Sequence, residues 1–346
     1  MYIKLPHLFL IFCLFCCNNI IIPQTSNDLN NNLQAEWIEK IDDKLALEIS
    51  FNNNIESFEV LNSGNIIEFS SNLKTNLRFQ FNYRIISFGI EFAPNFLPGN
   101  NDDILKGETS SFEIGTTIAL NKWNFEVAYK KVKGFYFENQ FEPIELQNEN
   151  SFIKLPYLAY YGFFGKFGYN TNNNFSIKSF ISQTERQLKS TGSFMPNLII
   201  NYYVFDDISN SENKQKSYNT ELIFSPGYIY TFVIDKEFST TLGLWLKIGY
   251  LNTNLITRVN GKDNHSNQNN FLFGSEAKLG FGYNGNSFYA GIYSTYSFSE
   301  NNQQFTTARS INNEFYYHIF GGIRFNSPQL LKEIVDEIEN NVNNIF

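Results

Sequence analysis

Cysteine and histidine are scarce in this chain, with three of each among 346 residues. Cys13, Cys16 and Cys17 all fall within the first 17 residues, which leaves the rest without a disulfide, a thiolate nucleophile or a cysteine metal ligand. His7 shares that leader and His265 sits in the Asn-rich run GKDNHSNQNN, so His318 is the one histidine in a strand-like segment. The sequence has no histidine cluster for zinc, no Gly-rich phosphate loop and no disulfide-exchange pair, and none of its motifs asks for a metal or a cofactor. Basic charge is also short. The 26 Lys and Arg face 34 Asp and Glu, a net charge of −8, and no stretch concentrates the cations that would neutralise a nucleic-acid backbone. Long apolar runs are missing too, the run from Leu8 to Cys17 being shorter than the roughly 17 to 25 residues of a membrane-spanning helix. Lys4 before it and Asn18 and Asn19 after it give the order of an export signal, expected over residues 1–22. Leu14 and Phe15 ahead of Cys16 and Cys17 are not the small residues of a lipid-acceptor site, so ordinary cleavage is the first reading and lipidation the second. Linker signals are absent from the middle, and residues 37–325 are expected to form one domain with 326–346 as a tail.

What the chain has in abundance is aromatic residues, 17% of the total, set in an alternation of period two. In TNLRFQFNYR, Leu77, Phe79, Phe81 and Tyr83 share one face while Arg78, Gln80, Asn82 and Arg84 share the other. In NKWNFEVAYK, Trp123, Phe125, Val127 and Tyr129 oppose Asn124, Glu126, Ala128 and Lys130. Near the end, Phe315, Tyr317, Ile319, Ile323 and Phe325 oppose Tyr316, His318, Phe320, Gly322 and Arg324. The period predicts strands at 74–83, 86–93, 109–120, 123–132, 152–168, 174–184, 193–205, 219–232, 239–251, 270–283, 286–298 and 313–325. Several are twice the length of about 5 or 6 residues usual in soluble sheets. Such strands suit a tilted crossing of a bilayer, and Arg, Glu and Lys on the second face would be costly in a dry sandwich core. The expected fold is therefore all-β: an antiparallel transmembrane β-barrel of about twelve strands, in the range 12 to 14, in the outer membrane. A secreted sandwich or a lipocalin-like barrel with its aromatics inside is the soluble alternative.

Short turns are expected at 84–85, 121–122, 169–174 and 283–287, and long polar connections at 94–108, 133–151, 206–218, 252–269 and 299–312. Short periplasmic turns and long outer loops should alternate. Counted from either end the alternation holds, but the two counts collide across residues 185–192. The rule also asks for an additional strand before residue 74, for which DKLALEISF (43–51) is the candidate. After Phe325, a suitable aromatic end for the last strand, Leu330, Leu331, Ile334, Val335 and Ile338 recur at helical spacing behind Ser327 and Pro328. A short periplasmic helix is expected there.

Segments WIEKIDDKLALEISF, NLRFQFNYRIISFGIEFAP, KVKGFYFEN and QTERQLKSTGSFMPNLIINYYVF, in that order, resemble an uncharacterised Bacteroidota family, domain of unknown function 4421. The resemblance runs from about Trp37 to about Phe325 and implies an exported, membrane-associated, β-rich protein without a known reaction or ligand. One departure is Phe69-Ser70-Ser71-Asn72, where the family has an element like Tyr-Arg-Pro-Asn.

Candidate site residues follow from the alternation. Arg78, Arg84, Glu91, Glu113, Glu126, Glu276, Lys278 and Arg324, with Gln80 and Lys130, are expected to face the lumen. Glu185, Arg186 and Lys189, crowded before Gly192, are expected to form a latch or a segment folding over the lumen. His318 is the weak catalytic candidate, needing a hydroxyl within about 3 Å. Glu39, Asp42 and Asp43 lack the oxygen spacing of a calcium loop, and Lys131 and Lys133 beside Phe135, Tyr136 and Phe137 read as girdle residues at a strand end. The first functional reading is a non-enzymatic, porin-like barrel, either a narrow small-solute channel or a closed structural barrel. The alternatives are a lipid- or lipopolysaccharide-modifying enzyme and a surface adhesin or docking module. Expected partners are outer-membrane lipid and lipopolysaccharide, and the barrel-assembly machinery during biogenesis.

Overall fold

The computed structural model describes residues 35–343 apart from 54–56, 63–64, 121, 138–151 and 303–308, so the expected signal at 1–22 lies outside the described residues. In chain order the strands are β1 (Ile38–Lys40), β2 (Lys44–Asn52), β3 (Ser57–Asn62), β4 (Asn65–Ser70), β5 (Asn76–Tyr83), β6 (Ile86–Phe92), β7 (Ser110–Ala119), β8 (Trp123–Phe137) and β9 (Lys154–Tyr169). They continue as β10 (Glu185–Gln187), β11 (Thr191–Phe194), β12 (Asn197–Asp207), β13 (Lys214–Ser225), β14 (Gly227–Asp235), β15 (Phe238–Val259), β16 (Lys262–Asn284), β17 (Phe288–Asn302) and β18 (Arg309–Asn326). Among the described residues three helices accompany them: α1 (Asp103–Lys106), α2 (Lys178–Ile181) and α3 (Gln329–Asn343).

Antiparallel pairing runs β2–β5–β6–β7–β8–β9–β12–β13–β15–β16–β17–β18 and returns from β18 to β2, with Ile323 opposite Leu47. That is a closed ring of twelve strands among the described residues. Closure leaves no edge for another sheet to extend. Two ring strands are broken by proline, which has no N–H to give to a ladder. Pro196 separates β11 from β12 and Pro226 separates β14 from β13, so 191–207 and 214–235 are each one strand with a kink. Trp245 mends the break: its indole N–H donates to the Met195 carbonyl at 2.9 Å.

The ring explains the collision in the expected alternation. Segment 174–184 is not a strand: it contains α2 and crosses the barrel mouth, beginning where a short turn at 169–174 was expected. Segment 43–51 is a strand, β2. One strand too many and one too few cancel in the count, while the alternation fails only between them. A second correction concerns 252–269, expected as a loop. Here β15 and β16 pair without interruption from Phe238↔Tyr283 to Val259↔Lys262, joined by a two-residue turn. Asn260 (φ 49°) and Gly261 (φ 75°) both take the left-handed conformation that such a turn demands.

Leu47, Ile49, Phe79, Phe88, Ile90, Ile200, Phe224, Ile248, Phe273, Phe281, Ile319 and Ile323 are each between 37% and 58% exposed on the outside. The alternate positions are buried: Glu48 is 5%, Glu91 3% and His318 5% exposed. An apolar exterior around a charged interior is the inverse of a soluble fold and matches a lipid solvent. On β15 the apolar outward series ends at Tyr250, and beyond it Asn252, Asn254, Asn267 and Asn269 link to one another side chain to side chain across the hairpin. The hairpin therefore rises out of the apolar zone into water.

At the opposite end, α3 packs Val335 (1% exposed) against Tyr83 and Ile85, with Leu331 and Ile338 beside them. Arg84, expected to face the lumen, is instead in the β5–β6 turn with φ 48°, and its guanidinium reaches Asp336 and Glu339 of α3. The one-residue displacement from strand to turn swings its side chain out of the barrel. Burial pulls against the charged form of Arg84, but the Asp336 hydrogen bond and the Glu339 charge carry its pKa above the ordinary value. Lys332 bonds Asp43 at 3.0 Å, and this hydrogen bond and charge hold the Asp43 carboxyl below its usual range.

Candidate functional site: a charged lumen with a built floor

The ladder registers bring the lumen residues together. Arg78 lies opposite Glu91, Glu91 opposite Glu113, and Glu113 opposite Lys130, so four neighbouring strands carry one belt of charge. Within it Arg78 meets Glu113 at 3.1 Å and Glu91 at 3.5 Å, while Asn52 donates to Glu91 at 2.8 Å. Glu126 pairs with Lys166 across β8 and β9. Farther round, Glu276 accepts from Lys247 at 3.1 Å and Lys278 at 3.3 Å. These groups surround a cavity of about 640 Å³. Five cations (Arg78, Lys130, Lys166, Lys247, Lys278) and seven carboxylates (Glu48, Glu91, Glu113, Glu126, Glu221, Glu276, Glu314) line it. Ions of both signs in this interior must pair to offset their desolvation, and they do so between neighbouring strands along the wall.

His318 stacks on Tyr293 at 4.6 Å, bonds the Tyr316 hydroxyl at 3.1 Å through Nδ1 and faces Glu48 at 3.6 Å through Nε2. Among the described residues, no serine or threonine hydroxyl hydrogen-bonds it.

One end of the lumen has a floor. The segment from Asn170 to Ser190 leaves β9, crosses the mouth and returns to β11. Phe175, Ile177 and Met195 pack with Ala119, Ile229 and Trp245 into an apolar layer, with Phe180 and Ile181 against it. A strap with only the short elements α2 and β10 can be buried only if its remaining polar groups find partners, and these come from several sides. Glu185 accepts from Lys178 at 2.8 Å and from Ser176 at 2.6 Å. Arg186 donates to the Asn284 carbonyl at 2.7 Å, to Asn286 at 2.8 Å and to Glu39 at 2.7 Å. Arg324 donates to the Gln183 carbonyl and, at 2.6 Å, to Asn284, so it belongs to the floor and not the open bore. Thr184 donates to the Arg84 carbonyl at 2.7 Å, and β10 pairs with β1 at the rim. Lys189 is exposed, over the Trp37 ring at 5.2 Å.

Glu185 and Arg186 thus meet Arg324 and Arg84 in one assembly, while Arg78, Glu91, Glu113, Glu126, Glu276 and Lys278 line the cavity above it. Sequence reasoning missed Lys166, Lys247, Glu48 and Glu221; their strand parity would have placed Lys166 and Lys247 inside. Glu39 and Asp43 are each engaged by a cation of the chain, Arg186 and Lys332.

A closed antiparallel barrel with an apolar outer band and a charged interior is an outer-membrane β-barrel protein, its short turns lying at the end that carries α3. The chain belongs to the family described as Domain of unknown function (DUF4421), whose model matches residues 34–325. No curated protein matches it in sequence. Solved structures similar to it include the outer membrane protease OmpT of Escherichia coli, at 8% identity over 83% of this chain and 97% of that one, TM-score 0.38. The β domain of the Bordetella autotransporter BrkA is similar at 9% identity over 82% and 100%, TM-score 0.38. The Pseudomonas putida toluene transporter TodX is similar at 6% identity over 81% and 89%, TM-score 0.29.

Proposed function

We propose that this protein is a non-enzymatic outer-membrane barrel held shut at its periplasmic end, which becomes a narrow small-solute channel only when the strap leaves the mouth. The observation that carries this reading is the strap itself, tied by Arg186 to the β16–β17 turn and by Thr184 to the β5–β6 turn. The apolar layer of Phe175, Ile177 and Trp245 at that end is a poor path for a hydrated solute. The lipid-modifying alternative has less support, because His318 is buried inside the barrel and engaged by Tyr316 and Glu48. For the adhesin alternative, loop 94–108 is ordered by Asn100 and Asn72 through side-chain bonds to the backbone and to Asp103, yet it leaves Phe96 80% and Ile104 89% exposed and so still offers a surface. Part of loop 133–151 lies outside the described residues. During biogenesis the aromatic end of β18 at Phe325 is the feature we assign to recognition by the barrel-assembly machinery. The decisive measurement is conductance in planar bilayers. Wild type is expected to be flat and a chain with residues 175–188 replaced by a short Gly-Ser linker to conduct; steady wild-type conductance would overturn the reading.

A further inference from the structure

On the outer wall, strands β8, β9, β12 and β13 place three rows of side chains side by side. The lowest row is Tyr129, Phe163, Tyr202 and Thr220. Above it come Lys131, Tyr161, Val204 and Tyr218, and above these Lys133, Ala159, Asp206 and Lys216. Val204, flanked by tyrosines, is the short residue of the middle row, and a groove of about 550 Å³ opens over it. Tyr161, Tyr202 and Tyr218 wall the groove, and Lys216 stands at its upper rim, bonded to Asp206 at 2.8 Å.

The depth of the groove in the membrane follows from strand geometry. Trp123 begins β8 at the periplasmic end. At about 3.3 Å per residue and a tilt near 40°, Lys131 stands about 20 Å and Lys133 about 25 Å above it, where the apolar band of such barrels ends. Lys131 is exposed and lies over the Tyr161 ring at 5.6 Å. Neither Lys131 nor Lys133 pairs with a carboxylate among the described residues. Lys216 and Asp206 line the groove itself, and Lys131 and Lys133, in the same rows on β8, add two further cations beside it in a chain of net charge −8.

We infer that this groove is a docking site for a phosphorylated lipid of the outer leaflet. Its headgroup phosphate would sit between Lys131, Lys133 and Lys216, and an acyl chain would lie down over Val204, Tyr202 and Phe163. The tyrosines suit the boundary, offering a ring to the chain and a hydroxyl to the headgroup. The groove is continuous with the lipid-facing wall, where Phe163 is 57% and Ile200 50% exposed, so its natural occupant is a lipid already in the membrane.

The test uses the purified full-length barrel in detergent, titrated with diphosphoryl lipid A and followed by native mass spectrometry. One bound lipid is expected, with dephosphorylated lipid A and a K131Q/K133Q variant each lowering affinity roughly tenfold to thirtyfold. V204W, which fills the groove, should remove binding of both lipids. Heat-modifiable migration on gels identifies which variants are folded, and the lysine variants, on the exterior, keep the test open if V204W is not. Equal affinity for the dephosphorylated lipid, or unchanged binding by K131Q/K133Q, overturns the inference. Displacement by an excess of inorganic phosphate would also overturn it, assigning the rim to a free anion.

Discussion

Lys166 and Glu126 show what a single pair contributes to this interior. Both face the lumen from adjacent strands and are partners across the ladder. Lys166 and Glu126 are only partly buried, with side chains 22% and 37% exposed, so removing one should cost about 1–3 kcal/mol, short of the roughly 3–5 kcal/mol of a fully buried pair. Lys166→Met should therefore lower the urea midpoint of unfolding measurably, and Lys166→Met with Glu126→Leu should recover most of the loss; equal instability of single and double variants would contradict the pairing. Trp245 makes a different residue-level case, because it fills the floor and its indole satisfies the carbonyl preceding Pro196. Trp245→Phe keeps most of the volume and loses the hydrogen bond, so its destabilisation should be about 1–3 kcal/mol, against about 3–5 kcal/mol for Trp245→Ala. Denaturant titrations of both variants separate bond from volume. The same residue scale sets a limit on reading sites from sequence. Parity on a strand told which way Arg78 and Glu91 point, but Arg84, one position past the strand end, obeys the turn and points to α3.

Among the elements, α3 and the strap cover the same end of the barrel by different means. The strap is bound by buried hydrogen bonds, whereas α3 adds exposed ion pairs to its apolar stripe. Its pH response follows from Asp43. With a folded pKa lowered from 3.8, Asp43 contributes stability above that value and loses it as pH falls through the lower folded pKa. Glu339 acts oppositely: burial raises its pKa from 4.5, so its contribution is present below the ordinary value and lost as pH rises through the raised one. Amide exchange in residues 331–338, corrected for intrinsic rates, should be slower in wild type than in Lys332→Met at pH 6. The two should converge once Asp43 is protonated, below 3.8. A difference that persists there would mean that Lys332 acts through something other than Asp43.

At the scale of the whole molecule, the bore and the strap divide the work. The lining carries five cations and seven carboxylates, so a barrel opened by removing the strap should prefer cations weakly, the pairs cancelling most of the field. Reversal potentials across a salt gradient would measure this, and a strong anion preference would show that the pairs do not persist in the open bore. The strap also explains why sequence analysis stumbled where it did. Phe175 and Ile177 alternate as a strand would, but the chain then turns into α2, whose Phe180 and Ile181 join the same apolar layer.

Solvent class was legible from the sequence, because period-two alternation of aromatics with charges over many long segments has few physical solutions, and a closed barrel in lipid is the one that satisfies every backbone group. The end helix and the inward direction of Arg78, Glu91, Glu113, Glu126, Glu276 and Lys278 follow from that same local regularity, whereas the count of twelve agrees because the strand expected at 174–184 offsets the uncounted β2. Tertiary structure alone decided what Glu185, Arg186 and Arg324 do. They meet across 98 to 141 residues of chain, on Asn284 and Gln183, and no periodicity encodes a contact between segments that neither pair as strands nor repeat. The polar hairpin at 252–269 was hidden for a related reason: above the membrane both strand faces meet water, so alternation vanishes while pairing continues.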